Sequence, residues 1–280
     1  MSCLGLGTYR LTAEETENSV KSALASGYRL IDTVAAYGNE ESVGRGIAES
    51  GVPREEIFIT TKLWPNDYSN AAGAIDTALE KLGVEYIDLL LLHQPWEDYI
   101  GAYQAMEDAV AAGKVRAIGL SNSYQNSFSA VIEIAKITPA VLQNERNPYF
   151  QQAEMMEFIA PYGTVMMDWF PLDGRGNNEQ LTEVQQSLFE NEVLLEICTA
   201  HDVTAAQVIL RWHIQSGGIA IPGSRNPDHI LENITIFDFE LTTEEMEKIA
   251  ALETGIPSFD FRETTEQPDF DSFVPPGGDD

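Results

Sequence analysis

The sequence has little cysteine, no long apolar run and no visible secretory signal among its first residues. Among 280 residues there are two cysteines, Cys3 and Cys198, which have no metal-ligand spacing and imply no disulfide framework. No apolar run approaches the roughly 18 residues that span a bilayer. The first residues lack the basic segment and apolar core of a secretory signal. We therefore expect a cytoplasmic protein that does not enter a membrane.

Positive charge is also scarce. The chain has 16 basic residues against 45 acidic ones, for a formal net charge of -29. Such a surface repels phosphate backbones, so the charge balance excludes nucleic acid as an expected partner. The overall field also opposes any small anionic ligand, which must therefore find local positive potential on this protein.

Apolar segments of strand length alternate with helical patterns along the chain, as in a parallel sheet covered by helices. Eight strands in roughly 250 residues predict a closed (β/α)8 TIM barrel. No G-x-G-x-x-G follows the first strand, which argues against a Rossmann fold. Candidate strands cover 3–8, 29–33, 57–63, 86–93, 115–121, 140–145, 163–169 and 218–223. Helical stretches include 12–26, 69–83, 99–112, 124–137, 151–160, 204–216 and 243–253. Thr12 with Glu15 three residues later predicts a capping box at the start of the first of them.

We expect residues 1–255 to form a single barrel domain and residues 256–280 to form an acidic C-terminal tail. This tail is rich in Asp, Glu, Pro and Gly, yet it contains four phenylalanines. A solvated tail is one interpretation. A loop that folds over the barrel mouth and offers phenylalanine side chains to a ligand is the other, and the sequence leaves both open.

Ionisable side chains fall at the ends of three neighbouring strands. Asp32 ends the second strand, Lys62 lies at the end of the third, His93 ends the fourth, and Tyr37 lies in the loop after the second. Each alone has an ordinary structural role, as a cap, a snorkelling lysine, a core histidine or a packed tyrosine. Barrel geometry makes the four converge at the C-terminal rim, where this fold carries its catalytic residues.

The chemistry of these four groups fits together. A tyrosine is a poor proton donor at neutral pH because its pKa is about 10, and we expect the Lys62 ammonium to lower the pKa of Tyr37. Asp32 would keep Lys62 charged and oriented, and His93 would orient a carbonyl oxygen for protonation by Tyr37. The set contains no nucleophile, so the second reactant should be a hydride donor, which implies a nicotinamide cofactor.

Several long motifs carry a resemblance to a known family. They are "LGLGTYRL", "GYRLIDTVAAYGNEESVGRGI", "IFITTKLW", "YIDLLLLHQP", "GLSN", "IPGSRNPDHILEN" and "FDFELTTEEM". In these motifs the chain resembles the aldo-keto reductases, particularly the small prokaryotic members that reduce diketogluconate and methylglyoxal. The Asp, Tyr, Lys, His tetrad of that family falls on Asp32, Tyr37, Lys62 and His93. The resemblance implies an oxidoreductase that reduces aldehydes or ketones with NADPH or NADH.

A phosphate site can be predicted from the residues that follow the eighth strand. Gly223 and Ser224 turn the chain, Asn226 is a good N-cap, and Pro227 is a good first helical residue. The resulting helix N-terminus points at the barrel mouth, where this fold commonly binds phosphate. An ordinary capped helix would explain the cap but not its location. Arg225 adds the positive charge that the acidic surface otherwise lacks.

The resemblance also implies a cofactor groove. Trp169 falls where the family places an aromatic ring stacked on the nicotinamide. The nicotinamide carboxamide would be held by Ser121, Asn122 and Gln143, and the pyrophosphate and adenosine would contact Leu172, Ser224, Glu232 and Asn233.

Two departures from the family concern the cofactor phosphate. Gly223 stands where many members have lysine, and His229 where they have arginine. Those cations pair with the 2'-phosphate of NADPH in a charge-assisted manner. Their loss leaves Arg225 as the remaining anchor, so we expect use of both cofactors or a shift toward NADH.

Other departures affect the pocket and the barrel bottom. Phe170 replaces a serine beside the stacking aromatic, and Gln94 replaces a tryptophan after the catalytic histidine, which predicts a more polar or differently shaped pocket. The family's N-terminal hairpin is largely absent from this sequence. Trp64 should project over the pocket, with Trp96 as a second candidate substrate contact, and such walls suit a flat or apolar carbonyl compound.

Two other classes of function could use the same fold. A barrel that binds a nicotinamide cofactor as a regulatory or sensor subunit would carry the same groove, although the complete tetrad argues against it. A metal- or carboxylate-dependent hydrolase needs acids or histidines at the rim, whereas His201, His213 and His229 fall in or near helices. No metal site is expected, and the family default is a monomer that acts on a small-molecule carbonyl substrate.

Overall fold

A computed structural model describes residues 1–173 and 187–259. Within these residues eight strands form one sheet in sequence order, and every neighbouring pair is parallel. The strands are β1 (Leu6–Gly7), β2 (Leu30–Asp32), β3 (Phe58–Leu63), β4 (Ile87–Leu92), β5 (Val115–Ser121), β6 (Val141–Glu145), β7 (Val165–Trp169) and β8 (Ile219–Ala220).

Backbone contacts between the first and last strands close the sheet. The amide of Gly5 donates to the carbonyl of Ala220 at 2.9 Å, and the amide of Gly7 donates to that of Pro222 at 3.0 Å. A Cβ at Gly7 would lie 2.7 Å from the carbonyl oxygen of Ile221, so this approach requires glycine. The predicted (β/α)8 barrel is confirmed.

Helices cover the outside of the barrel. Those in the described residues are α1 (Ala13–Ala25), α2 (Glu40–Glu49), α3 (Ala71–Leu82), α4 (Tyr99–Ala111), α5 (Gln125–Ile134), α6 (Ala153–Ile159), α7 (Glu192–His201), α8 (Ala205–Gln215), α9 (Pro227–Ile234) and α10 (Thr243–Ala250). The helices α2 and α7 are additions to the stretches that the sequence predicts. The strand predicted over 218–223 is shorter, at Ile219–Ala220, although the amide of Ile221 still donates to the carbonyl of Asp168 at 3.3 Å and Gly223 still forms a bridge with Gly7.

Helix α1 begins at a reciprocal cap. The amide of Thr12 donates to Glu15 Oε2 at 3.0 Å, and the amide of Glu15 donates to Thr12 Oγ1 at 3.3 Å. These two bonds satisfy amides that have no partner within the helix itself. Glu15 is therefore held at the rim of the barrel, where the chain passes from β1 into α1.

The core has an inner and an outer layer because successive strand residues face opposite sides of the sheet. Leu30, Leu89, Leu91, Val141 and Met167 belong to the inner cluster. Their neighbours Ile31, Leu90, Leu142 and Met166 belong to the outer cluster packed beneath the helices. The inner alternation continues to the C-terminal ends of the strands and brings to the barrel mouth Asp32, Lys62, His93, Gln143 and Trp169.

Candidate active site

A buried ion pair lies at the mouth of the barrel. Lys62 Nζ donates to Asp32 Oδ1 at 2.7 Å and to the backbone carbonyl of Thr33 at 2.9 Å. Asp32 and Lys62 are 3% and 2% exposed, so both charges are shielded from bulk water. Burial raises the pKa of Asp32 and lowers that of Lys62, and the attraction between the two charges opposes both shifts. Removal of either partner would leave a buried, uncompensated charge.

Gln143 is a second partner of Asp32. Its Nε2 donates to Asp32 Oδ2 at 2.7 Å and lies 2.9 Å from Met167 Sδ. Both carboxylate oxygens of Asp32 are therefore hydrogen-bonded, one to Lys62 and the other to Gln143. The resemblance assigns Gln143 to the nicotinamide carboxamide, whereas in this structure its amide nitrogen supports the ion pair.

Tyr37 lies beside this pair in a 3-10 turn over Ala35–Tyr37. Lys62 Nζ is 5.9 Å from the centroid of the Tyr37 ring, and the ring of Tyr9 packs on the same phenol with centroids 5.1 Å apart. Burial raises the pKa of Tyr37 well above its ordinary value, with the Asp32 charge and Tyr9 adding to the shift. The expected lowering of this pKa was wrong, because Asp32 already engages Lys62 and desolvation dominates.

His93 follows β4 and completes the group. Its ring packs against Trp64, with centroids 4.9 Å apart. Burial, with a smaller effect of the Lys62 charge, lowers the pKa of His93 well below its ordinary value. Within the described part of the chain, His93 Nδ1 is buried without a hydrogen-bond partner. A neutral imidazole in this position has one N–H that can donate to a carbonyl oxygen.

The predicted groove residues on the far side of the mouth bond to one another. Asn122 Nδ2 donates to the carbonyl of His93 at 3.0 Å, and Trp169 Nε1 donates to Asn122 Oδ1 at 3.0 Å. Ser121 Oγ donates to the carbonyl of Gln143 at 2.9 Å. Asn122 thus fixes the indole of Trp169 relative to His93, which gives a half-buried aromatic surface of defined orientation beside the tetrad.

The predicted phosphate site follows β8. Asn226 Oδ1 accepts from the amide of Asp228 at 2.9 Å, which confirms the N-cap of α9. Ser224 Oγ accepts from the amide of Asn226 at 3.1 Å. Arg225 is 70% exposed at its side chain and pairs with Glu15, with Nη1 and Oε1 2.9 Å apart. Arg225, which we expected to be available for a phosphate, is therefore already paired with the carboxylate of Glu15.

The remaining predicted contacts occupy different environments. Glu232 Oε1 accepts from Thr204 Oγ1 at 2.7 Å, and Asn233 is buried in α9. Leu172 is half-buried and packs against the core. Trp96 is half-buried in the loop after His93. Gln94 is 3% exposed, and its backbone carbonyl and amide bond to Tyr68 Oη at 2.8 and 3.2 Å.

The first residues of the C-terminal segment lie against the same mouth. The amides of Ser258 and Phe259 donate to Glu145 Oε1 and Oε2 at 2.7 and 3.0 Å. The Phe259 ring is 5.9 Å from Trp169 and 5.5 Å from Phe170, between centroids. Residues 260–280, with the other three phenylalanines, lie outside the described residues. So do residues 174–186, in the loop 171–186 that we expect to form part of the substrate pocket wall.

Sequence reasoning missed several residues at the mouth. Tyr9 packs on Tyr37, and the guanidinium of Arg10 lies 5.2 Å from the Tyr9 ring centroid. Glu145 binds the C-terminal segment from the end of β6. A signal for Arg10 was present, because a basic residue directly after the first strand is conspicuous in a chain with so few. Glu145 ends β6 with the same inward parity as Gln143, which could have identified it.

Metal ligands and membrane-spanning helices bear on the class of protein. Among residues 1–173 and 187–259, no group of three or more His, Cys, Asp or Glu side chains could hold a metal ion. In the same residues no single helix is long and apolar enough to cross a membrane; α7 and α8 satisfy length and composition only as a pair bent by 91°.

Comparison with known proteins agrees with this site. Residues 3–254 match the Aldo/keto reductase family. Morphine 6-dehydrogenase of Pseudomonas putida is 42% identical over 266 residues, which cover 91% of this chain and 89% of that protein. Glyoxal reductase of Bacillus subtilis is 42% identical over 256 residues, covering 90% of this chain and 89% of that protein.

Solved structures give the same result. An aldo-keto reductase from a Medee basin deep-sea metagenome library has a TM-score of 0.88 at 38% identity, covering 95% of this chain and 97% of that chain. A Bombyx mori aldo-keto reductase in complex with NADP has a TM-score of 0.88 at 33% identity, covering 93% and 92%. The chain belongs to the aldo/keto reductase family and is an NAD(P)H-dependent oxidoreductase of that family.

Proposed function

We propose that this protein reduces aldehydes or ketones to alcohols, with Tyr37 as proton donor and His93 orienting the carbonyl. The observation that carries the proposal is the 2.7 Å ion pair of Lys62 and Asp32 at the mouth, beside both groups. A buried ion pair stabilises a fold little compared with well-packed apolar side chains. Its position at the catalytic rim, next to a phenol and an imidazole, therefore supports a role in the reaction.

The raised pKa of Tyr37 fits a proton donor whose proton leaves only during the reaction. The phenol holds its proton at neutral pH and can give it to a carbonyl oxygen that is becoming an alkoxide. The charge left on the phenolate is then stabilised by the nearby Lys62 ammonium, which Asp32 and the Thr33 carbonyl hold in place. The nicotinamide, when bound, supplies the hydride.

The chain offers suitable groups for a dinucleotide. Trp169 presents a half-buried ring held by Asn122, which suits stacking with a flat heterocycle. Ser224, Arg225 and the first turn of α9 supply hydroxyl, guanidinium and amide donors at one end of the groove, which is the chemistry that phosphate requires. These residues would hold the cofactor along the mouth.

The cofactor preference is proposed to be relaxed or shifted toward NADH. Gly223 has no side chain to place a cation, and His229 is exposed on α9. Arg225 is the guanidinium at this turn, and its charge is partly neutralised by Glu15. A 2'-phosphate would therefore gain less here than beside two unpaired cations.

Trp64 supports a substrate with an apolar or flat portion, because its ring packs against His93 at the place where the carbonyl would be oriented. The relatives are named for glyoxal and for morphine, two compounds of very different size. We therefore propose that small aldehydes and aromatic carbonyl compounds both be used as probes.

Oxidation of NADPH and NADH with benzaldehyde and with glyoxal tests the proposal. Tyr37→Phe should lower kcat by at least about 100-fold, since general acid catalysis contributes on that order. Tyr162→Phe, at an exposed tyrosine on the barrel's outside, is the matched control and should retain turnover. If both cofactors bind but neither is oxidised, a sensor or regulatory function replaces the reductase.

A further inference from the structure

An ion pair joins two loops across the seam where the barrel closes. Glu15 lies at the start of α1, shortly after β1, and Arg225 lies between β8 and α9. The carboxylate of Glu15 uses both oxygens: Oε1 accepts from Arg225 Nη1 at 2.9 Å, and Oε2 accepts from the amide of Thr12 at 3.0 Å. The capping box thus fixes the carboxylate, and the carboxylate in turn fixes the guanidinium.

The ionised side chains beside Arg225 leave this seam without a net positive charge. The hydrogen bond from Arg225 holds the pKa of Glu15 below its ordinary value, so Glu15 is ionised at neutral pH. Asp228 is exposed in the first turn of α9, three positions after Arg225, and it adds another negative charge to this turn. A phosphate dianion that approached Arg225 would have to displace Glu15 and remain close to both carboxylates, on a chain whose net charge is -29.

We propose that Glu15 determines the cofactor preference of this enzyme, favouring NADH by occupying Arg225 and opposing a 2'-phosphate. This inference rests on the proposed function of the groove. A carboxylate at such a position can accept a hydrogen bond from a ribose hydroxyl, which NADH has and NADPH lacks at the 2' position. The same group therefore favours one cofactor and repels the other.

Glu15→Gln tests the role of the charge with little change in shape. Glutamine also completes a capping box, so α1 should keep its cap. The ratio of kcat/KM for NADPH to that for NADH should rise by about threefold to tenfold, because the pair is partly exposed and screened. The ratio of the NAD+ dissociation constant to the NADP+ dissociation constant, measured by calorimetry, should rise by a similar factor.

The matched control is Glu14→Gln, which removes the same charge from the adjacent, exposed position of the same helical turn. It should change either ratio by less than about twofold. The rise in both ratios caused by Glu15→Gln should become smaller as the salt concentration is raised, since screening weakens interactions between exposed charges. In the double variant Glu15→Gln, Arg225→Gln this rise in the ratios should disappear, because the guanidinium freed by the first substitution is removed by the second.

The outcomes separate this inference from the proposed function. If Glu15→Gln changes both ratios no more than Glu14→Gln does, Glu15 has no role in cofactor choice, although the enzyme remains a reductase. If the unaltered protein binds neither NADP+ nor NAD+ in the calorimeter, the proposed function and the inference fall together. Calorimetry measures the effect of Glu15 on cofactor binding even when no substrate is turned over.

Discussion

Gln143 donates a 2.7 Å hydrogen bond from Nε2 to Asp32 Oδ2, across 111 positions of sequence. With Lys62 on the other oxygen, this bond holds the carboxylate in one orientation at the barrel mouth. Gln143 therefore acts on the tetrad through Asp32, in addition to any contact with a cofactor. These two bonds should each have a measurable effect on stability, as should the half-buried imidazole of His93, whose Nδ1 is buried.

Replacing Gln143 should weaken the fold because Asp32 loses a donor in a buried place. For Gln143→Leu we expect a loss of about 1.5–3 kcal/mol in the free energy of unfolding, as for a hydrogen bond to a charged group. Urea unfolding followed by circular dichroism measures it. Gln94→Leu is the matched control, since Gln94 is equally buried and its side-chain Oε1 has no partner in the described residues. Equal losses in the two variants would show that the bond to Asp32 adds nothing.

The ion pair should reveal strong coupling between its two partners. Lys62→Met alone should cost about 3–5 kcal/mol of stability, because it leaves Asp32 buried and unpaired. The double variant Asp32→Leu, Lys62→Met should recover most of that loss while remaining inactive, since apolar residues can replace a buried pair. Denaturant unfolding of both singles and the double gives the coupling energy.

The exposed i,i+4 pair of Lys248 and Glu244, with Nζ and Oε1 3.4 Å apart, is the control for this cycle. Its coupling should be about 0.3–0.5 kcal/mol. A coupling for Asp32 and Lys62 as small as that of the exposed pair would contradict the assignment of a buried pair.

His93 should make the protein less stable as the pH falls below about 6.5. Its pKa is lowered in the folded state, so below the unfolded value the unfolded chain binds a proton that the folded chain does not. Stability then rises with pH up to that value and falls below it, by up to about 1.4 kcal/mol per pH unit from this one group. His93→Gln should be less sensitive to acid than the unaltered protein.

The measurement is the free energy of unfolding at several pH values between about 4 and 8, the range that brackets the histidine value. His229→Gln, at an exposed histidine on α9, is the matched control. If the free energy of unfolding changes with pH by the same amount in His93→Gln and in the unaltered protein, the prediction is wrong.

The tetrad was accessible from sequence because it depends on a local rule. Asp32, Lys62 and His93 each lie at a strand end, and the two-residue period of a strand gives each the same inward parity as the apolar residues before it. The N-cap Asn226 and the capping box of Thr12 and Glu15 are likewise local patterns, and the structure confirms both.

Contacts between residues that are far apart in the sequence could not be predicted from it. Glu15 and Arg225 are 210 residues apart, and their roles as a cap and as a phosphate anchor were predicted separately. Because of this pairing, Arg225 is a partly neutralised cation rather than one that is available to a phosphate. The pKa of Tyr37 was predicted in the wrong direction for a related reason, since the amount of water around the phenol is a property of the folded barrel.

The sequence by itself determined the family, the barrel and the four side chains at its mouth, because periodicity, caps and motif spacing are encoded over short stretches. Tertiary structure alone decided which polar side chains share a hydrogen bond and which are buried away from solvent. Gln143 bonds to Asp32, Glu15 bonds to Arg225, and burial raises the pKa of Tyr37, because barrel closure brings distant strand ends together and reduces the solvent around the phenol.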